Sequence, residues 1–358
     1  MPAGNGILKL NIPEMRRLRR IPVFNLKDFY MKALKAGIIA VSLAFFLSAC
    51  GGDRTSEAAG TPAAPAANTA APAEKAEQKV IKVAYLPITH ALPAFEAASA
   101  EMQDENVRIE LIRFGSWTEL IDAINAGRVD GAFALAELVM KAREQGMDVY
   151  LSALAHRDGN VIVAADGIKS MQDLRGKTFA IPHRQSSHYI LLNEALAKEG
   201  VDISEINIIE LPPPEMPSAL AAGRIAGYCV AEPFGARAVT LKVGHVLYNS
   251  QDLWPDSICC ALALSGRFLR EHPELAAVLL SRVRKAGLRL EQDHEHAISL
   301  AGEFLKAPKD ALELSLKWIH FDNLDIGKEQ YDSLAAKVKN YGLSQAPVPY
   351  EDIVKNVR

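Results

Sequence analysis

Along residues 80–265, segments with the apolar pattern of strands alternate with segments that have the apolar pattern of helices. Short apolar runs of roughly four to eight residues predict buried strands, and apolar residues three and four apart predict the helices between them. Strands that alternate with short helices favour a largely parallel α/β sheet. The predicted strands cover 80–85, 107–114, 131–135, 149–154, 178–181, 206–211, 227–231 and 258–264, and the predicted helices cover 93–102, 116–126, 137–144, 187–198 and 217–222.

One unit that ends a helix and starts a strand occurs twice. The sequence AGRVDG at 126–131 matches AGRIAG at 222–227, and in each case the first glycine suits the end of a helix. The spacing is too long for a solenoid repeat, so it predicts two similar α/β lobes. We place lobe I at 80–165 and lobe II at 166–249, with crossovers near Ala165 and Asn249.

The remaining chain, 250–358, is predicted to be mainly helical. A return strand at 258–264 is followed by amphipathic runs that predict helices. We expect this part to pack on lobe I. The predicted helices cover 273–292, 294–305, 309–318 and 328–341.

Residues 31–49 have the pattern of a bacterial lipoprotein signal peptide. Lys32 and Lys35 precede the apolar stretch 36–46, which is too short to span a membrane comfortably. The stretch ends in LSAC at 47–50, which resembles a lipobox and predicts cleavage before Cys50 and diacylation of its thiol. The alternative is a buried cysteine at the end of an apolar core helix. We expect translation to begin at Met31, with 1–30 either upstream of the true start or an extended N-terminus.

Residues 50–79 are rich in Ala, Pro, Gly, Thr and Glu and have no apolar period. This composition predicts a disordered tether, because it offers too little apolar surface to bury. Anchor and tether together predict a protein of the cell envelope, attached through lipid to the membrane on its periplasmic or extracellular face.

Composition narrows the classes of function. With 49% hydrophobic and 23% charged residues the 358-residue chain is typical of globular proteins, and its net charge of −3 argues against a nucleic-acid partner. The sequence has no GxSxG, HExxH, P-loop or dinucleotide motif. We therefore predict a monomeric non-enzyme without a cofactor. Its four cysteines (Cys50, Cys229, Cys259 and Cys260) are too few and wrongly spaced for a disulfide framework or a CxxC zinc site.

Candidate ligand-binding residues follow from the α/β pattern. Two-lobed α/β proteins bind ligands at the carboxyl ends of their strands, where helix N-termini favour anions. The loop 182–188, which joins a strand to a helix, is the best anion site by this criterion, although its serines also suit ordinary N-capping. The predicted ligand-binding residues are His90, Ser116, Trp117, Glu137, His156, Arg184, Ser186, Ser187, Glu232 and Cys260.

Several of these residues have a second interpretation. Trp117 either walls the cleft or packs in the core, and His156 either contacts the ligand or is a satisfied loop histidine. Glu232 either binds a cationic group or fixes a hinge through a salt bridge. Adjacent strand residues point to opposite faces, so at most one of Cys259 and Cys260 is expected to face the cleft. A buried free cysteine is otherwise a small apolar side chain, and Cys229 is expected to be inert.

Five stretches in this order resemble the nitrate/sulfonate/taurine group of ABC-transporter solute-binding proteins. The resemblance implies the type II periplasmic-binding fold, two lobes that close on a small ligand, and a permease and an ATPase as partners. Residues 101–106 replace a segment that is often Lys-Gly-Phe-Phe-like in the group, and Ala226 stands where Asp is common, which leaves the ligand open. The stretches are VAYLPITHA (83–91), SWTELIDAINAGRVDGAFA (116–134), DLRGKTFAIP (173–182), SALAAGRIAGYCVAEPFGARA (218–238) and WPDSICCALALS (254–265).

The expected ligand is a small anion or zwitterion, sulfonate-like, held between the helix starts at Ser116 and Ser186. Three alternatives remain open. The Cys259-Cys260 pair also resembles the Cys-rich motif of fungal thiamine-pyrimidine synthases, which are enzymes. The same cysteines with cleft histidines would suit a soft metal or metalloid. A sensor domain would require a receptor partner that the sequence does not show.

Overall fold

The structure is a computed structural model that describes residues 78–103 and 106–357. Every strand that the sequence predicts is present with ends within two residues of the prediction, and four further strands are added. In chain order the strands are β1 (Lys79–Tyr85), β2 (Val107–Arg113), β3 (Gly131–Leu135), β4 (Val149–Leu154), β5 (Arg157–Asp158), β6 (Asn160–Ala164), β7 (Thr178–Ile181), β8 (Asn207–Glu210), β9 (Gly227–Ala231), β10 (His245–Asn249), β11 (Cys260–Ser265) and β12 (Ile319–His320).

The helices also follow the predicted order. The first ends at Ala97 rather than at 102, because the chain after its C-cap at Ala98 continues in turns. The helices are α1 (Leu92–Ala97), α2 (Trp117–Asn125), α3 (Ala136–Glu144), α4 (Ser187–Lys198), α5 (Met216–Ala221), α6 (Phe234–Thr240), α7 (Ser250–Leu253), α8 (Gly266–Glu271), α9 (Pro273–Gln292), α10 (His294–Leu305), α11 (Lys309–Ser315), α12 (Lys328–Asn340) and α13 (Tyr350–Ile353).

The first lobe is built on a five-stranded sheet in the order β2-β1-β3-β11-β4. β1 runs parallel to β2 and β3, whereas β11 runs antiparallel between β3 and β4. All residues of β3 and β11 are buried. A strand covered on both faces reads as a continuous apolar run, which is why the sequence pattern located these central strands well.

The second lobe has a sheet of the same size in the order β10-β6-β9-β7-β8. β7 is parallel to β8 and β9, while β6 is antiparallel to β9 and β10. The structure is therefore an α/β fold of two mixed sheets. Because β6 already belongs to the second sheet, the first crossover lies at 155–159, earlier than the predicted boundary at Ala165.

The repeated glycine unit has the same geometry in both lobes. Gly127 follows α2 with φ of 65°, and Gly223 follows α5 with φ of 67°. These left-handed backbone conformations favour glycine, and each lets the chain turn from a helix into a central strand, β3 or β9. The two sequence copies thus mark corresponding places in the two lobes.

The C-terminal helices contact both lobes. α9 packs on α1 of the first lobe, and β11 completes the first sheet, as the sequence predicted. However, α11 packs on α6 of the second lobe, and Lys337 of α12 pairs with Glu194 of α4. Residues 250–357 therefore contact both lobes rather than lobe I alone.

In the described part of the chain, no helix combines the length and the apolar character that crossing a membrane requires. The predicted signal peptide, the lipidation site at Cys50 and nearly all of the tether (50–77) lie outside the described residues.

Candidate ligand site between the lobes

A group of histidine and cysteine side chains lies buried where the lobes meet. His90 lies in a short 3₁₀ helix after β1, His156 follows β4, and Cys259 and Cys260 stand at the start of β11. His90, His156 and Cys259 are 0% exposed and Cys260 is 1% exposed. One potential ligand atom from each of these four residues lies within 4.8 Å of the others. We call these four residues the donor cluster.

The spacing of the donor cluster suits a tetrahedral metal ion. The two sulfurs are 3.8 Å apart, and His90 Nδ1 lies 3.8 Å from Cys259 Sγ and 3.7 Å from Cys260 Sγ. A tetrahedral zinc ion, with Zn–S of about 2.3 Å and Zn–N of about 2.0 Å, would separate two sulfurs by about 3.8 Å and sulfur from nitrogen by about 3.5 Å. The observed distances are therefore close to those of a metal site.

A backbone hydrogen bond sets the orientation of His90. Its Nε2 lies 2.9 Å from the carbonyl oxygen of Gly159, so Nε2 carries the proton and donates it. The unprotonated Nδ1 then faces the two sulfurs. Metal-binding histidines commonly donate their second ring nitrogen to a carbonyl in this way, which fixes both tautomer and ring orientation.

The two cysteines do not follow strand alternation. The sequence predicted that at most one would face the cleft, but both sulfurs contact His90. That prediction is wrong because β11 begins at Cys260, so Cys259 precedes the regular extended strand where alternation applies. In addition, the backbone N–H of Cys260 donates to His156 Nε2 at 3.3 Å.

Several buried polar atoms around the donor cluster have no hydrogen-bond partner within residues 78–103 and 106–357. They include both carboxylate oxygens of Glu137, both ring nitrogens of His188 and Nδ1 of His156. Each such atom costs about 1–3 kcal/mol relative to a satisfied one. Unpaired groups of this kind, gathered at one place, indicate a binding site.

The site favours neutral imidazoles and carboxyls. Burial lowers the pKa of His156 to about 4, and burial likewise lowers the pKa of His188 to about 4. Burial raises the pKa of Glu137 well above its ordinary value and raises the pKa of Glu232 to about 8. At neutral pH the two imidazoles are therefore uncharged, which is the form that binds metals.

The two thiols have different acidities. Burial acts to raise the pKa of Cys259, but its interactions with Cys260, His156, His188 and His90 outweigh burial and hold that pKa well below the usual thiol value. Burial and the neighbouring Cys259 raise the pKa of Cys260 well above that value. Cys259 is therefore the more acidic thiol of the pair.

The predicted residues fall into two sets. His90, Glu137, His156 and Cys260 come together at the donor cluster or close to it, since Cys259 affects the pKa of Glu137 and Glu137 affects the pKa of Cys260. Glu232 is buried, and its carboxylate accepts from the backbone N–H of Ala236 at 3.0 Å rather than pairing with a cation.

The residues of the predicted anion site are placed differently. Ser116 and Ser186 act as N-caps, accepting from the backbone N–H groups of Glu119 and Tyr189. Arg184 is exposed and donates to the carbonyl of Ile208, outside the buried site. Ser187 is buried, and its hydroxyl has no partner in the described residues.

Trp117 lies in the core and also borders a cavity. It is 4% exposed and packs in the core, and it also lines a cavity of about 190 Å³ between the lobes, with Ser116 on one side and His183 on the other. Its ring N–H has no hydrogen-bond partner within the described ranges.

The sequence-based selection omitted Cys259, His188 and Asn160. Asn160 Oδ1 lies 3.8 Å from Cys259 Sγ. His188 belongs to the segment 182–188 that the sequence indicated as an anion site. From that segment only Arg184, Ser186 and Ser187 were predicted to bind the ligand. The available signal was the joint occurrence of three histidines and a Cys-Cys pair at predicted strand ends.

Comparison with known proteins places the chain in a family. Residues 74–302 match the model of the NMT1-like family. A ligand-binding component of an ABC-type import system from Staphylococcus aureus, solved with zinc bound, is 34% identical and superposes with a TM-score of 0.74 over 78% of this chain and 97% of that one.

More distant structures share the fold. The alkanesulfonate-binding protein SsuA of Xanthomonas axonopodis pv. citri, bound to MOPS, is 18% identical with a TM-score of 0.67, covering 78% of this chain and 99% of that one. The periplasmic nitrate-binding protein NrtA of Synechocystis is 18% identical with a TM-score of 0.68, covering 76% and 84%. These likenesses identify the type II periplasmic-binding fold.

Curated relatives include longer proteins. The nitrate import ATP-binding protein NrtC of Synechocystis sp. is 28% identical over 229 residues, 58% of this chain and 34% of that protein. The nitrate/nitrite binding protein NrtA of Nostoc sp. is 26% identical over 254 residues, 63% of this chain and 57% of that protein. The chain thus spans between a third and somewhat over half of these relatives. It belongs to the NMT1-like family, among the solute-binding proteins of ABC import systems.

Proposed function

We propose that this protein captures a soft divalent metal ion, zinc or one of similar chemistry, and delivers it to an ABC permease and its ATPase. The observation that carries the proposal is the donor cluster: two thiols and two imidazoles, all buried, at the spacing of a tetrahedral metal site.

The donor atoms select the class of metal. Thiolate and imidazole ligands favour zinc and copper over magnesium and calcium, which prefer oxygen. Two thiolates would neutralise a divalent ion inside a buried site, while burial raises the pKa of Glu137 and so disfavours a further negative charge there. A buried ion compensated in this way avoids the large cost of an isolated charge. The zinc found in the Staphylococcus aureus relative supports the same class of cargo.

A small anion is the second candidate. The cavity of about 190 Å³ beside Trp117 contains the start of α2, and the unpartnered indole N–H would suit an anionic oxygen. The sulfonate and nitrate proteins of the same fold support this alternative. Against it, the hydroxyls of Ser116 and Ser186 are already used as caps, and Arg184 is directed to Ile208.

A zinc titration of the purified full chain, in competition with a chromophoric chelator, tests the metal proposal. Binding at one ion per chain is expected in wild type. Structural zinc sites gain about 10–16 kcal/mol from four ligands, so Cys259→Ser with Cys260→Ser should weaken binding by a factor on the order of 10⁴.

Two variants serve as controls. Cys229→Ser removes a buried thiol outside the donor cluster, and Ser186→Ala with Arg184→Ala alters the predicted anion site. Both should bind zinc as wild type does. Absence of zinc binding by wild type, together with binding of a sulfonate or nitrate that the Ser186→Ala with Arg184→Ala variant loses, would overturn the metal proposal in favour of the anion.

We also propose that the protein is lipid-anchored to a membrane of the cell envelope at Cys50, on the periplasmic or extracellular face. The support is the charged, apolar and LSAC sequence of residues 31–50. Radiolabelled palmitate should label wild type but not Cys50→Ala. Equal labelling of both proteins would contradict the anchor.

A further inference from the structure

The two lobes contribute differently to the site. His90 follows β1, Cys259 immediately precedes β11 and Cys260 begins it, so three of the four members of the donor cluster lie on or next to strands of the first sheet. His156 lies on the crossover after β4. His188 instead lies in the first turn of α4, which follows β7 of the second sheet. A metal-binding side chain of the second lobe therefore accompanies a cluster built mainly by the first.

His188 lies next to the donor cluster without being part of it. It is fully buried, and Cys259, His90 and His156 lie near enough to influence its pKa. It is nevertheless absent from the group of ligand atoms that lie within 4.8 Å of one another. Neither of its ring nitrogens has a hydrogen-bond partner in the part of the chain that the structure describes. Both ring nitrogens are therefore available to a metal ion if the second lobe moves toward the donor cluster.

We propose that His188 is the closing ligand, the side chain through which a captured metal ion draws the second lobe onto the first. This inference rests on the proposed metal cargo. A ligand shifts the balance between open and closed lobes only through contacts that differ between them, and a bond from His188 is such a contact. Zinc accepts a fifth ligand or exchanges one of four, so the added imidazole is chemically accessible.

The surroundings of His188 suit this role. Ser186 caps α4 by accepting from the backbone N–H of Tyr189. This hydrogen bond stabilises the first turn of the helix, which carries His188. On the facing side Thr89, next to His90, donates its N–H and its hydroxyl to the carbonyl of Glu232 in the second lobe, both at 2.9 Å. The metal-binding side chains thus lie where the two lobes are in contact. Because His188 is part of α4, a metal ion that pulls on His188 would also move the second lobe.

The test separates metal affinity from closure. Zinc affinity is measured by chelator competition, and closure by the decrease in radius of gyration that small-angle scattering records when zinc is added to the full chain. Wild type should bind and contract. His188→Ala should bind zinc about tenfold more weakly and no longer contract, since ligand-supporting groups typically contribute 10–100-fold in affinity. His188→Asn, which stays polar but lacks the imidazole, should behave in the same way.

His183→Ala is the matched control, because this histidine lies in the same loop and its Nδ1 already accepts from the backbone N–H of Gln185. It should bind and contract like wild type. Full contraction of both His188 variants would overturn the inference, and so would complete loss of zinc binding in both, which would make His188 part of the capture set. If wild type itself binds no zinc, the metal proposal fails, and that result is visible without any variant.

Discussion

Two buried polar clusters in this protein differ in how their hydrogen bonds are satisfied. In one, the fully buried Glu96 of α1 accepts from Arg289 at 2.9 Å and contacts His296 at 2.7 Å, so each carboxylate oxygen has a partner. In the other, at the meeting of the lobes, Glu137 and His188 have no partners among the described residues. Both clusters combine a histidine with a buried carboxyl group, but only in the Glu96 cluster does each carboxylate oxygen have a partner.

The difference separates a structural role from a binding role. The Glu96 cluster joins α1 to α9 and α10, and its charges cancel within the protein. The donor cluster and its neighbours carry the cost of desolvation without the compensating bonds. A folded chain retains such groups where a ligand supplies the missing contacts. The two clusters should therefore respond in opposite ways to matched substitutions.

The largest effect is expected from matched histidine substitutions in the two clusters. His90→Ala removes the nitrogen that faces both sulfurs and should weaken zinc binding about a hundredfold, or about 3 kcal/mol, one ligand's share of a four-ligand site. His296→Ala should leave zinc affinity unchanged and lower the stability of the metal-free protein. Chelator competition and urea unfolding measure the two quantities. Equal zinc affinity in His90→Ala and wild type would remove the distinction between the clusters.

For Glu232 we expect an effect of similar size on the free energy of unfolding, caused by a change of pH. Burial raises the pKa of Glu232 to about 8 in the folded protein, against about 4.3 in the unfolded chain. The folded state thus holds a proton that the unfolded chain has released. The stability this group provides is complete below about pH 4 and is lost as the pH rises through about 8.

Between pH 4 and pH 7 the stability of wild type should therefore fall by about 3 kcal/mol relative to Glu232→Gln, which does not titrate. Urea unfolding of both proteins across this pH range measures the difference. The surface variant Glu313→Gln should differ from wild type by less than about 0.5 kcal/mol. A constant difference between Glu232→Gln and wild type would show that Glu232 is ionised in the folded state.

A smaller loss of stability is expected from the completed cluster. Glu96→Gln removes the carboxylate that pairs with Arg289 and contacts His296, and it leaves Arg289 with only its exposed partner Glu101. The change should cost about 2 kcal/mol of stability, below the range for fully buried pairs because Arg289 and His296 are partly exposed. Zinc affinity should not change. Thermal unfolding and the zinc titration test both statements, and a lowered zinc affinity would mean that the two clusters depend on each other.

The smallest expected effect is the change in zinc affinity for each pH unit. Burial and the neighbouring Cys259 raise the pKa of Cys260, so this thiol must release a proton when it binds a metal. His156, with its pKa of about 4, is already neutral and releases none. Zinc affinity should therefore rise about tenfold per pH unit from pH 6 to pH 8 and become nearly flat in Cys260→Ser. A flat profile in wild type would contradict the assignment of the proton to Cys260.

Patterns within the chain determined the two-lobed α/β fold. Central strands such as β3, β9 and β11 are buried on both faces, so their apolar runs are unmistakable, and the paired glycine units locate the helix ends. The strands β6 and β10 were missed, and with them the position of the first crossover. Their pairing is long-range and antiparallel, which leaves no local period beyond a short apolar run.

For the site, the sequence supplied the residue types, and only the tertiary structure decided which of them meet. His90, His156, Glu137 and Cys260 were selected because they follow predicted strands, and strand ends converge at one edge of a sheet. The sequence could not decide that Cys259 and Cys260 both face His90, since that depends on where β11 begins. Nor could it decide that Arg184 is directed to Ile208 while His188 is buried beside the sulfurs. These outcomes depend on which polar atoms find partners across the chain, and the physical reason is that hydrogen bonding and burial are properties of the packed fold, whereas periodicity is a property of the segment.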